Sequence, residues 1–123
     1  MNQLTISGNI GKDPELKFSA NAKPYCVFSL AHTPGSFVNE VWVPRDTVWF
    51  DVIFFGNKAE AVVDSFNKGD SVFVIGEFEP ETYNAKDGAI KTSLKIKGKE
   101  IGLNAKTVRR ESVSSAVKET LSW

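Results

Sequence analysis

The sequence is poor in the residues that catalysis and covalent bracing need, with one cysteine and one histidine in 123 residues. Cys26 alone cannot form an internal disulfide, which suits a reducing compartment and places the chain in the cytoplasm. His32 and Cys26 stand in no metal-ligand spacing and no nucleophile motif, so no enzyme activity, metal or cofactor is expected. His32, beside a loop end, reads as a surface or interface histidine. The glycines form no phosphate-binding loop, and no small-molecule substrate is implied. No apolar run approaches the roughly 20 residues of a membrane helix, and the N-terminus lacks a basic-then-apolar signal pattern. Repeats and low-complexity segments are also missing. Net charge is zero, with 15 basic and 15 acidic residues, which taken alone speaks against a nucleic-acid partner.

The distribution of charge says more than the sum. Residues 1–85 carry 6 Lys/Arg and 11 Asp/Glu, whereas residues 86–110 carry 8 basic residues against Asp87 and Glu100. Such asymmetry can make a local positive stripe on a neutral molecule, and the local field is what a polyanion meets. The plain alternative is a strand whose wet face carries lysines.

Leu4, Ile6, Gly8 and Ile10 alternate with polar residues, the period of a half-buried strand. Asp13-Pro14 bends the chain, residues 16–18 run extended, and residues 19–23 read as a hairpin loop before a second strand over residues 25–33. Residues 34–46, with Pro34, Gly35 and Pro44 around Phe37, Val41 and Trp42, read as a long loop or protruding hairpin. Residues 48–55 form the most apolar strand, with Trp49, Asp51, Ile53 and Phe55 on one side and Phe50, Val52 and Phe54 on the other. A short helix follows, with Asn57 as its N-cap and Ala59, Val62, Val63 and Phe66 as its buried stripe, ending at Lys68-Gly69. Residues 71–83 read as one long strand bent at Gly76, residues 89–99 as another, and residues 101–108 as a last one. Val113, Ala116, Val117, Thr120 and Leu121 have helical spacing. The order predicts an all-β domain over residues 1–110, an OB-fold: a five-stranded Greek-key barrel with one short helix between its third and fourth strands. Residues 111–123 form a short tail.

The opening run from Asn2 to Phe18, with Gly8 in the strand and Asp13-Pro14-Glu15-Leu16 after it, resembles the start of bacterial single-stranded DNA-binding proteins. So do Phe28-Ser29-Leu30-Ala31, the segment from Trp49 to Glu60, and Lys68-Gly69-Asp70 followed by Val72, Val74, Gly76 and Tyr83. The resemblance covers roughly residues 1–98 and implies an OB-fold, sequence-tolerant binding of single-stranded DNA in replication, repair or recombination, and a homo-oligomer, usually a tetramer, with a dimer as the lesser form. It carries the family's base-stacking role to Trp49, Phe55, Tyr83 and Phe37. Trp42 has no counterpart in the family pattern and is added as a neighbour on the same loop. Lys12, Lys17, Lys58, Lys68 and Lys91 fall at or beside positions commonly basic in the family, and Lys95 and Lys97 share a strand face with Lys99.

The residues themselves leave alternatives open. Parity alone does not decide whether Trp49 and Phe55 or Phe50 and Phe54 form the core. Phe37 and Trp42 fit a subunit contact or a loop mini-core as well as a ligand contact. Glu77, Glu79 and Glu81 alternate where the family often has basic or neutral residues, and on one face they would repel phosphate, as would Asp51. Asn9 replaces an often basic residue, and the chain reaches Trp123 without the family's acidic tip. A short accessory paralogue is therefore expected. The rival readings are an OB-fold protein-interaction adaptor of a replication or repair assembly with weak DNA binding, and a binder of single-stranded RNA.

Overall fold

The structure, a computed structural model, describes residues 2–105. Alternation of apolar and polar residues sets its strands, in the order β1 (Leu4–Ile10), β2 (Glu15–Phe18), β3 (Pro24–His32), β4 (Gly35–Val38), β5 (Val41–Pro44) and β6 (Val48–Phe55). After helix α1 (Asn57–Ser65) come β7 (Ser71–Phe78), β8 (Glu81–Asn84), β9 (Ile90–Ser93) and β10 (Lys95–Leu103). The main sheet runs β1-β7-β10-β6-β3-β2, and β1 also pairs with β3 at Asn9–Ala31 and Ile10–Leu30. That second pairing closes β1, β7, β10, β6 and β3 into a five-stranded barrel. β10 and β6 run parallel while the other barrel neighbours are antiparallel. The helix falls between β6 and β7, the third and fourth barrel strands, so the predicted OB-fold architecture is the observed one.

Closure forces every strand to put one set of side chains inside. Ile10, Phe28, Leu30, Val52, Phe54, Val72, Val74 and Ile96 fill the interior, and Ala59 and Val62 bring α1 against it. Glycine appears where two backbones or a ring come too close for a Cβ. A methyl on Gly76 would strike the Lys97 carbonyl, and one on Gly98 would strike the Phe54 ring. The expected irregularity beside Gly76 lies on the opposite strand, as a register shift of β10 between Gly98 and Glu100.

Several expected boundaries move. The long strand over residues 71–83 breaks at Glu79-Pro80 into β7 and β8, because proline cannot donate to a ladder. The strand over residues 89–99 breaks at Leu94, and its second half joins the expected last strand as β10. The reason is a change of sheet: β8 and β9 form a separate two-stranded arm. Asn57 is the first helical residue rather than the cap. The cap is Gly56, whose φ of 68° suits a residue without a Cβ, and no side chain caps the helix. The helix stops at Ser65, since Phe66 turns extended to pack its ring on the core. Gly69, with φ 90°, serves the following turn instead. The expected tail over residues 111–123, its helical spacing and the domain boundary at residue 110 lie outside the described residues. Among the described residues no helix is long and apolar enough to cross a membrane.

Candidate functional site

The open question of parity on β6 is decided by exposure. Val52 and Phe54 are 0% and 1% exposed, while Trp49 and Phe55 are 55% and 52% exposed. Both large rings therefore stand on the outer surface at opposite ends of one strand. Six residues separate them, roughly 20 Å at ~3.3 Å per residue. The Trp49 indole lies over Gly11, where a Cβ would come within 2.6 Å of its ring. Phe55 has the Tyr25 ring on one side, with centroids 6.4 Å apart, and the Lys97 ammonium 5.9 Å from its own centroid.

The register of β3 and β10 on β6 completes this outer face. Ala31, Ser29, Val27 and Tyr25 stand opposite Trp49, Asp51, Ile53 and Phe55, and on the other side Lys95 and Lys97 stand opposite Asp51 and Ile53. Lys17 pairs with Tyr25 one strand further out. Tyr25 was not among the sequence candidates, although Cys26, Phe28 and Leu30 facing inward require it to face outward. The irregularity after Gly98 ends the strict alternation expected to place Lys99 with Lys95 and Lys97.

Two hairpin arms stand apart from the main sheet. In β8–β9, Tyr83 pairs with Lys91 and Glu81 pairs with Ser93, so these four share one side of the ribbon. That side is fastened to the barrel: Ser93 Oγ donates to Asp51 Oδ2 at 3.0 Å, and Lys95 Nζ donates to Glu81. Tyr83 and Lys91 consequently extend the β6 face, with Tyr83 exposed. In β4–β5, Phe37 and Trp42 are register partners whose rings meet edge to face at 5.2 Å. Both are exposed, as are Val38, Val41 and Val43 on the same hairpin. The loop over residues 34–46 is thus a protruding hairpin, and its two rings contact each other on the arm.

The candidate lysines spread around the face unevenly. Lys12 follows Gly11 at the Trp49 end and pairs with Glu15 at 3.7 Å. Lys68 joins the same region through its backbone N–H, which donates to Asp13 Oδ1 at 2.6 Å. Lys17 and Lys97 stand at the Phe55 end, Lys95 at the centre and Lys91 on the arm. Lys58 is the exception. It donates to the Lys99 carbonyl at the β10 irregularity, pairs with Glu100 at 3.3 Å, and lines a cleft between α1 and β10.

The expected acidic row does not form as a row. Glu79 lies in the break between β7 and β8, while Glu77 pairs with Lys99 at 3.5 Å and Glu81 with Lys95 at 2.5 Å. The Glu81 carboxylate holds the Lys95 pKa above its ordinary value, first through their hydrogen bond and then through its charge. His32 is half-buried, its Nδ1 2.8 Å from the Ser7 carbonyl, a tie between β3 and β1. Burial pushes the Cys26 thiol pKa up. Among the described residues no three His, Cys, Asp or Glu side chains gather as metal ligands.

The chain is similar to known proteins in sequence and in fold. The family model described as the single-strand binding protein family matches residues 1–104. A single-stranded DNA-binding protein of Paenarthrobacter aurescens is 31% identical over 101 residues, covering 80% of this chain and 59% of the relative. Single-stranded DNA-binding protein 1 of Xylella fastidiosa is 27% identical over 123 residues, covering 94% and 86%. Against the first of these the chain spans well under two thirds of the relative's length. Among solved structures, the small single-stranded DNA-binding protein from Streptomyces coelicolor superposes with a TM-score of 0.76 at 28% identity, covering 85% of this chain and 94% of that one.

Proposed function

The chain belongs to the single-strand binding protein family, and from that premise we propose that its β6 face binds single-stranded DNA without regard to sequence. One observation carries the proposal: Trp49 and Phe55 stand outward together, at the two ends of a strand whose opposite side is sealed in the core. A base of any identity has a π-face, and stacking on aromatic side chains is known for single-strand binding OB-folds as a class to be worth ~1–3 kcal/mol per base. Several nucleotides fit between the two rings. Tyr83 continues the platform on the β8–β9 arm, and Phe37 and Trp42 offer a further platform on β4–β5. Lys12, Lys17, Lys68, Lys91, Lys95 and Lys97 take phosphates. Lys58, engaged at the β10 irregularity, has the weakest claim among the lysines. The reading includes no catalytic step and places the protein in DNA replication, repair or recombination in the cytoplasm.

Assembly into a homotetramer, or a dimer, belongs to the same reading. It is supported by the family and by β1, where residues 4–8 pair with β7 alone and leave a strand edge for a second copy. Sedimentation tests it.

Titration of tryptophan fluorescence with poly-dT at two salt concentrations tests the binding. The expected result is strong quenching that fades with salt, at a log–log slope near −0.7 per phosphate contact. A folded protein that shows no quenching at low salt overturns the proposal and favours the protein-adaptor reading. Competition between matched DNA and RNA oligomers reports the preferred sugar.

A further inference from the structure

Two lysines of the basic stretch, Lys95 and Lys99, meet opposite charge in space. Lys95 Nζ donates to Glu81 Oε2 at 2.5 Å, and Lys99 Nζ lies 3.5 Å from Glu77 Oε1. Asp51 stands opposite Lys95 in the β6–β10 register and accepts from Ser93 at 3.0 Å. At the middle of the face Lys95 therefore stands between Glu81 and Asp51, while Lys99, past the β10 irregularity, is held by Glu77. Glu77, Glu81 and Asp51 come from β7, β8 and β6, so the cancellation is a product of the fold and is absent from any local window of sequence.

A carboxylate that holds a lysine ammonium occupies the place a phosphate would take. All these groups are solvent-accessible, so each pair can open at modest cost. We propose that Glu81 is a built-in competitor for the phosphate site at Lys95, which weakens DNA binding and flattens its salt dependence. A phosphate reaching Lys95 must first displace Glu81, and the freed carboxylate then stays beside the phosphate. The lysine neutralises less of the strand's charge, fewer counterions leave the strand, and both affinity at low salt and the salt slope are smaller than the number of lysines suggests. This proposal rests on the single-strand reading above.

A double-mutant cycle tests it, using the full chain and poly-dT between about 50 and 200 mM salt. Glu81→Gln keeps the side chain's shape and removes its charge. It is expected to tighten binding at the lower salt about 1.4- to 5-fold, the range of an exposed ion pair, and to steepen the log–log slope by up to about 0.7. In a Lys95→Gln background the same substitution is expected to do neither. Glu60→Gln, on the first turn of α1, controls for net charge and is expected to leave affinity and slope unchanged. Equal gains in the Lys95→Gln background or from Glu60→Gln would reveal a diffuse charge effect and overturn the proposal. No gain from Glu81→Gln in a chain that binds poly-dT overturns it as well. Should the folded wild-type chain itself not bind, the single-strand reading fails first and this proposal falls with it. Thermal melts of each variant confirm that only folded protein is compared.

Discussion

Replacing Trp49 and Phe54 separately by alanine tests the division of labour on β6. Phe54 is fully buried, with its ring stacked at 6.3 Å from Phe28 and lying over Gly98. Its truncation is expected to cost ~3–5 kcal/mol of stability, a large share of the ~5–15 kcal/mol that holds a domain of this kind together. Trp49 is 55% exposed, so less than half of its surface leaves water. Taking about 100 Å² as that buried part, at ~25 cal/mol per Å² the loss is at most about 2.5 kcal/mol. For binding the order reverses. Losing one stacked base at ~1–3 kcal/mol raises Kd about 5- to 150-fold, whereas Phe54, sealed in the core, offers a nucleotide no surface. Urea titrations give the stabilities, and anisotropy of a dye-labelled oligo-dT gives the affinities without using the indole as its own reporter. Trp49→Ala is expected to remain folded and bind weakly. Phe54→Ala is expected to unfold early and, where still folded, to bind as wild type. A Trp49→Ala protein that binds normally, or that loses as much stability as Phe54→Ala, refutes the reasoning.

Other outcomes follow from the same geometry. Phe55→Ala is expected to weaken binding by a similar factor, and the double variant Trp49→Ala/Phe55→Ala to show additive losses, because the rings are too far apart to touch; a Kd series over the four proteins checks this. Gly98→Ala puts a methyl against the Phe54 ring, and is expected to lower stability by ~1–3 kcal/mol in urea while the folded fraction keeps its affinity. Cys26 is buried with a raised pKa, so alkylation at mildly alkaline pH is expected to be slow in native protein and fast in urea. The sign for stability follows from the same shift. The contribution of Cys26 is complete below the thiol's ordinary pKa of 9.0 and declines as pH rises past it, since the unfolded thiol ionises first. A urea midpoint that falls between neutral pH and pH values above that pKa, together with slow native alkylation, meets this expectation.

The alternating strands, the helix slot and the protruding hairpin were legible in the sequence because each depends on nearest neighbours along the chain. The direction of β6 was not, since Trp49 with Phe55 and Phe50 with Phe54 are equally credible cores. Only the residues brought in by β3, β7 and β10 make Val52 and Phe54 the inner pair. The break at Leu94 was hidden for a related reason. No proline or glycine marks it; the chain merely exchanges one partner strand for another, and the Leu94 carbonyl accepts from the Asp51 amide at 2.9 Å. In sequence alone the glutamates suggest an acidic row, because the lysine partners of Glu81 and Glu77 lie 14 and 22 positions away. Tyr25 was legible and missed: its strand parity was plain, but it lies outside the segments that carried the resemblance.

A chain of zero net charge can hold a polyanion only if something other than its total field does much of the work. On this barrel the lysine nearest the centre of the face is already engaged by a carboxylate, whereas the rings at its ends are open to water. Stacking does not pass through the ionic atmosphere. At about 1 M salt the Debye length shrinks to roughly 3 Å, so lysine–phosphate attraction fades while base–ring contact persists. The pairing of Glu81 with Lys95 and the exposure of Trp49 and Phe55 therefore act in the same direction. On the single-strand reading proposed above, they are expected to shift the strand's hold from charge to surface, toward a grip that varies less with ionic strength than the count of lysines would imply.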